Sequence, residues 1–122
     1  MEPSDIVPIY FNWNNSWSDY RSDAERNWKG SPKITQAPRD DGFDEVYEED
    51  DWKWTMRIKG RRPITIRLYK DNQVIKEQAY DTDMTMFQCT IKWVTLDDEG
   101  EYKLKISNMY GTVTTYRTLY VL

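Results

Sequence analysis

Asp98-Glu99-Gly100-Glu101-Tyr102-Lys103-Leu104-Lys105-Ile106-Ser107-Asn108-Met109-Tyr110-Gly111 is the stretch that decides the fold of this chain. Its middle alternates apolar and charged side chains, with Tyr102, Leu104 and Ile106 set against Lys103 and Lys105. A period of two turns one face of a strand toward a core and the other toward water. Turn-forming runs bound it, Asp97 to Gly100 before and Asn108 to Gly111 after. Working outward, the same alternation recurs in Trp52-Lys53-Trp54-Thr55-Met56-Arg57-Ile58, in Ile64 to Leu68, in Phe87-Gln88-Cys89-Thr90-Ile91 and in Leu119-Tyr120-Val121. Gly60 to Pro63 and Asp71-Asn72 mark further turns. Half-buried strands at this spacing, with no long helical period after residue 30, predict an all-β, antiparallel β-sandwich. Its expected core includes Trp54, Met56, Leu68, Cys89, Ile91, Tyr102 and Leu104.

Composition narrows the function. A chain of 122 residues holds one core. No apolar run reaches the roughly 20 residues that cross a bilayer, and Met1 to Asp5 is acidic where an export signal is basic and then apolar. A net charge of −4 argues against nucleic-acid binding, which needs basic surface to neutralise phosphates. Histidine is absent, which removes triad chemistry and His-ligated metal sites together with the commonest general base. The single Cys89 excludes an internal disulfide and Cys-rich zinc sites, and it fits a reducing compartment. On the Phe87-Cys89-Ile91 row its thiol is expected to be a buried hydrophobe. The chain is therefore expected to bind protein partners, without catalysis or cofactor.

The run Asp98 to Gly111 resembles the E–F corner, strand F and F–G turn of an intermediate-set immunoglobulin domain, whose pattern is Asp-x-Gly-x-Tyr-x-Cys-x-Ala-x-Asn-x-x-Gly. Only the Cys and Ala positions differ. Met56-Arg57-Ile58-Lys59-Gly60 resembles the end of strand B, Pro63 to Asn72 resembles strand C and its turn, and Pro32 to Pro38 resembles strand A. The resemblance covers residues 31–122 and makes residues 1–30 an N-terminal extension. It implies that Tyr102 is a structural tyrosine returning its hydroxyl to upstream backbone. It also implies that Met56 and Leu104 stand where the family carries its disulfide, and Leu68 where it carries its core Trp. Bridge-less domains of this kind are typical of intracellular muscle proteins of the titin, twitchin, myosin-binding protein C, obscurin and stretchin type. The implied role is a structural, protein-binding module of the sarcomere, with myosin on the thick filament as partner. A domain of a larger muscle kinase or signalling protein, and an extracellular adhesion domain without its bridge, are the rival roles.

Three features carry candidate function. The extension holds Tyr10, Phe11, Trp13, Trp17, Tyr20 and Trp28, with helical spacing from Ser16 to Trp28 and a capping-box pattern at Ser22 to Glu25. Two roles stay open for it: covering its own sandwich, or anchoring a partner, since Trp, Tyr and Arg dominate interface energetics. The run Asp40 to Asp51 is acidic, yet Gly42 precedes most of its carboxylates, so no calcium-loop pattern is met. From Trp52 to Ala79 the balance is basic, and Arg57, Lys59, Arg61, Arg62 and Arg67 are expected on the surface near the B–C turn, paired with the acidic run or docking an acidic filament.

Overall fold

In the computed structural model, residues 9–14, 30–36, 42–81 and 84–122 are described. They contain β1 (Ile9–Asn14), β2 (Lys33–Gln36), β3 (Phe43–Val46), β4 (Trp52–Gly60), β5 (Ile64–Lys70), β6 (Gln73–Tyr80), β7 (Met84–Ile91), β8 (Gly100–Asn108) and β9 (Gly111–Val121). One sheet has the order β1-β7-β4-β2, the other β3-β9-β8-β5-β6. All the pairings are antiparallel except the parallel β3–β9 pair. The expected sandwich is present, and β4, β5, β7, β8 and β9 contain the five alternating runs.

Alternation sets the core. Trp52, Trp54, Met56 and Ile58 of β4 are buried, as are Ile64, Ile66 and Leu68 of β5, Phe87, Cys89 and Ile91 of β7, and Tyr102, Leu104 and Ile106 of β8. At the two positions where the resemblance implies a disulfide, Met56 is 3% exposed and Leu104 0%, so buried apolar side chains stand there. Trp52 stacks on Trp54 with ring centroids 5.8 Å apart and tilts against Tyr102 at 4.8 Å. The Tyr102 hydroxyl donates to the carbonyl oxygen of Asp98. The Asp98 carboxylate in turn accepts from the Thr95 N–H at 2.8 Å, which holds the corner before β8. Burial pushes the Tyr102 phenol pKa upward.

At the margins β1 and β3, like β6, were not legible as alternation. The link from β6 to β7 is residues 81–83, too short to lay a further strand beside β7. That edge is taken by β1, from Ile9 opposite Ile91 to Asn14 opposite Met86. Residues 9–14 of the N-terminal extension are thus a strand of the same sandwich. At the opposite margin β3 runs parallel to β9 and places Asp44 beside Arg117. Arg117 lies on the inward row of β9 and is 5% exposed. Its Nε and Nη2 donate to the two Asp44 oxygens at 2.7 and 2.8 Å, and Trp52 Nε1 donates to Asp44 Oδ2 at 2.6 Å. One acid of the acidic run is therefore an internal hydrogen-bond acceptor.

Candidate protein-binding surfaces

The aromatic residues of β1 divide by the period of the strand. Ile9 is buried, Phe11 meets Phe87 edge-on at 5.0 Å, and Trp13 meets Tyr80 edge-on at 5.8 Å. Lys76 Nζ lies 5.2 Å from the centre of the Phe11 ring. Phe11 and Trp13 therefore cover their own sandwich, the first of the two roles open to the extension, because inward positions on an edge strand bury apolar area against the neighbouring sheet. Tyr10 faces outward and is 47% exposed. Trp17, Tyr20 and Trp28, and the helical spacing between Ser16 and Trp28, lie outside the described residues.

The basic residues are distributed over both sheets. Arg57 and Lys59 lie on the outward row of β4, and Arg61 and Arg62 lie in the exposed β4–β5 turn. Arg67 is on the outward row of β5, in the other sheet, where its Nε pairs with Glu77 Oε1 at 3.2 Å. That pair, led by the hydrogen bond that Arg67 donates to the Glu77 carboxylate, raises the Arg67 pKa further. The outer faces of a sandwich point in opposite directions, so Arg67 does not extend the surface formed by Arg57 and Lys59. The basic turn itself is well fixed. Asn108 Nδ2 donates to the carbonyl oxygens of Gly30 at 2.6 Å and Arg61 at 2.9 Å, and the Arg61 N–H donates to Gly30 O at 3.2 Å. Gly30 has φ +109°, and a Cβ there would lie 2.8 Å from Arg61 Cγ. A side chain at position 30 is excluded on both counts.

A third surface was missed by the sequence pattern. A hollow of about 440 Å³ opens on the outer face of the four-stranded sheet, lined by Tyr10, Lys53, Gln88, Thr90, Lys92 and Trp93 among others. Alternation continued from Phe87, Cys89 and Ile91 would bury Trp93. Instead Trp93 has φ +54° and is 62% exposed, while Val94 takes the buried place. A bulky residue in the left-handed region is uncommon, and here the Trp93 N–H is held by Asp51 Oδ1 at 3.1 Å. No feature of the alternating run foretells that reversal.

Cys89 has no disulfide partner and is buried. Burial raises its thiol pKa to about 12, so at neutral pH it is a protonated, inert side chain. Among the described residues no group of three or more Cys, Asp or Glu is arranged to hold a metal ion. What the geometry offers is recognition of another macromolecule by exposed aromatic and basic side chains on a rigid sandwich.

Comparison with known proteins agrees with that geometry. The family model of the immunoglobulin I-set domain matches residues 32–121. Among solved structures, the trigonal form of titin M4 superposes with a TM-score of 0.64 at 20% identity, over 76% of this chain and 97% of that one. The twitchin kinase region from C. elegans, Fn31-NL-kin-CRD-Ig26, matches with a TM-score of 0.61 at 25% identity, over 77% of this chain and 17% of that one. The complex of titin M10 with an obscurin-like 1 immunoglobulin domain matches with a TM-score of 0.63 at 17% identity, over 76% of this chain and 95% of that one.

Proposed function

Because the chain belongs to the immunoglobulin I-set domain family, we propose that it is a structural, non-catalytic protein-binding module of a cytoplasmic muscle filament, with myosin on the thick filament as its partner. The observation that carries this reading is the bridge-less core. Met56 and Leu104 meet the requirement for cross-sheet packing with side chains that are stable in a reducing compartment. Titin and twitchin domains of the same fold support the muscle setting, and titin M10 bound to obscurin-like 1 is an instance of such a domain binding protein. The proposed contact surface joins Tyr10, Trp17, Tyr20 and Trp28 of the extension to Arg57, Lys59, Arg61 and Arg62. Phe11 and Trp13 act on it by holding β1 in place, and Arg67, ion-paired with Glu77 on the opposite outer face, lies outside it.

Aromatic anchors supply about 2–4 kcal/mol per hot spot, whereas rim charges supply mainly rate and salt sensitivity. Co-sedimentation of the full chain with myosin filaments separates the two. Trp17→Ala with Trp28→Ala is expected to weaken binding by a similar factor, tenfold or more, at low and moderate salt. Arg61→Glu with Arg62→Glu is expected to weaken it mainly at low salt, where screening is least. Wild-type chain that stays in the supernatant at every salt concentration would overturn the assignment to myosin. The 25% likeness to a twitchin kinase region favours, as second reading, an immunoglobulin domain within a larger kinase-containing polypeptide.

A further inference from the structure

The four-stranded sheet is completed by a strand that a long stretch of sequence separates from the next one. β1 pairs with β7 alone, at the edge of the sheet, while β2 lies at the opposite edge of the same sheet. Asn14 is level with Met86 and so with Arg57, and Lys33 is level with Lys59. The two chain ends thus emerge at the same end of the sheet. With strands about 4.8 Å apart and residues about 3.4 Å along, the gap to be bridged is roughly 16 Å. Residues 15–32 form the connection, and 18 residues can span up to about 60 Å. That length of sequence exceeds the gap several-fold.

Among the described residues no strand other than β1 lies at the β7 edge, and only residues 81–83 join β6 to β7. Its requirements are nonetheless specific. An incoming strand must put apolar side chains on alternate positions, to meet Phe87 and Tyr80 as Phe11 and Trp13 do. Ile9 to Asn14 carries no charge and no proline, so nothing on β1 repels a second molecule or blocks pairing. From these observations we propose that the β7 edge is a strand-accepting site, filled within the chain by β1 and able to accept β1 of a second copy of the chain.

Exchange replaces each internal contact by the same contact between molecules. The balance is therefore set by the local concentration of β1 that its covalent attachment to the same chain gives, of order mM. Strand-exchanged dimer is then expected near 1% at about 10 μM chain and at tens of per cent at about 1 mM. Asn12 and Gln88 are opposite one another and outside the core, which makes them suitable reporters. Full-length Asn12→Cys chain is mixed with full-length Gln88→Cys chain, co-refolded under reductant from denaturant at 10 μM or 1 mM, then oxidised and run on a denaturing gel. Wild-type chain, which retains Cys89, sets the baseline.

The expected result is a disulfide-linked heterodimer that grows at least tenfold with concentration and exceeds both the wild-type baseline and the Asn12→Cys chain alone. In the double variant, Asn12→Cys with Gln88→Cys, the bond is expected within one chain at 10 μM. A double variant that fails to close would remove the β1–β7 register and the proposal with it. A double variant that closes while the mixture stays monomeric at 1 mM would overturn exchange. Equal dimer from Asn12→Cys alone would overturn it too, since that result signals edge-to-edge contact of two β1 strands.

Discussion

At one margin of the sandwich β1 lies against β7 with Ile9, Phe11 and Trp13 turned inward. At the opposite margin β3 lies against β9, and Asp44 holds a nearly buried Arg117 with two parallel hydrogen bonds while accepting a third from Trp52. Both strands come from the N-terminal half of the chain, and both seal a sheet whose centre is aliphatic and aromatic. Their chemistry is opposite. Apolar closure scales with area, tolerates imperfect geometry and ignores salt. Ionic closure gives little net stability while intact, but removing one partner leaves a charge without compensation. One margin is thus built to be remade, the other to be held in one register.

The largest effect follows from the second margin. Asp44→Ala leaves the Arg117 guanidinium buried without its carboxylate and is expected to cost about 3–5 kcal/mol, a large fraction of the 5–15 kcal/mol that holds a domain of this size. Urea denaturation measures it. Replacing both partners, Asp44→Leu with Arg117→Met, is expected to recover most of the loss, because the desolvated charge is removed along with its partner. A single variant that unfolds within 1 kcal/mol of wild type would place the pair in water and end the contrast.

How far these margins were legible in the sequence follows from the same difference. The centre announces itself through alternation, and β4, β5, β7 and β8 were visible because both of their neighbours are strands and one face of each is core. The corner around Tyr102 was visible through its residue order. β6 was not, since a strand at the sheet edge with mostly exposed side chains, Gln73 to Tyr80, keeps no strict period. Asp44 was hidden inside a run of carboxylates, where nothing local distinguishes an internal acceptor from a solvated neighbour, and Arg117 sat among threonines and tyrosines with no charge pattern to flag it. The basic residues were legible as a composition but not as a surface. A linear charge count does not record that β4 and β5 belong to different sheets. Trp93 was hidden because a single left-handed residue reverses alternation.

An intermediate effect tests the first margin. Phe11→Ala and Trp13→Ala each remove a half-buried ring and are expected to cost about 1–3 kcal/mol, independent of salt between 0.05 and about 0.5 M. The same margin carries an alkaline liability. Burial raises Tyr80 to about 12 and Cys89 to about 12, above ordinary values of 10.0 and 9.0. The folded state then holds protons that the unfolded state releases, so stability is full below pH 9 and falls as pH rises through 9–12. Trp13→Ala uncovers Tyr80 and is expected to lower its pKa toward 10, read by phenolate absorbance. An unchanged Tyr80 titration would mean that Trp13 does not cover it.

The smallest effect sharpens the comparison most, because it pairs the same two functional groups in an exposed setting. Arg67 and Glu77 form the same kind of pair as Arg117 and Asp44, at 3.2 Å between β5 and β6, but on an outer face open to water. There both ions keep most of their hydration, and the side chains lose rotamer freedom in exchange for a screened attraction. Truncating Glu77 leaves Arg67 to be solvated by water and not stranded. Glu77→Ala is therefore expected to leave the urea midpoint within experimental error of wild type at moderate salt, with any difference fading further by about 0.5 M salt. The ratio of the Asp44→Ala and Glu77→Ala effects then measures what burial and the extra hydrogen bonds of Asp44 add to an arginine–carboxylate pair. If Glu77→Ala destabilised the domain as much as Asp44→Ala, the β5–β6 edge would be held by its ion pair, and the distinction between held and remade margins would no longer rest on burial.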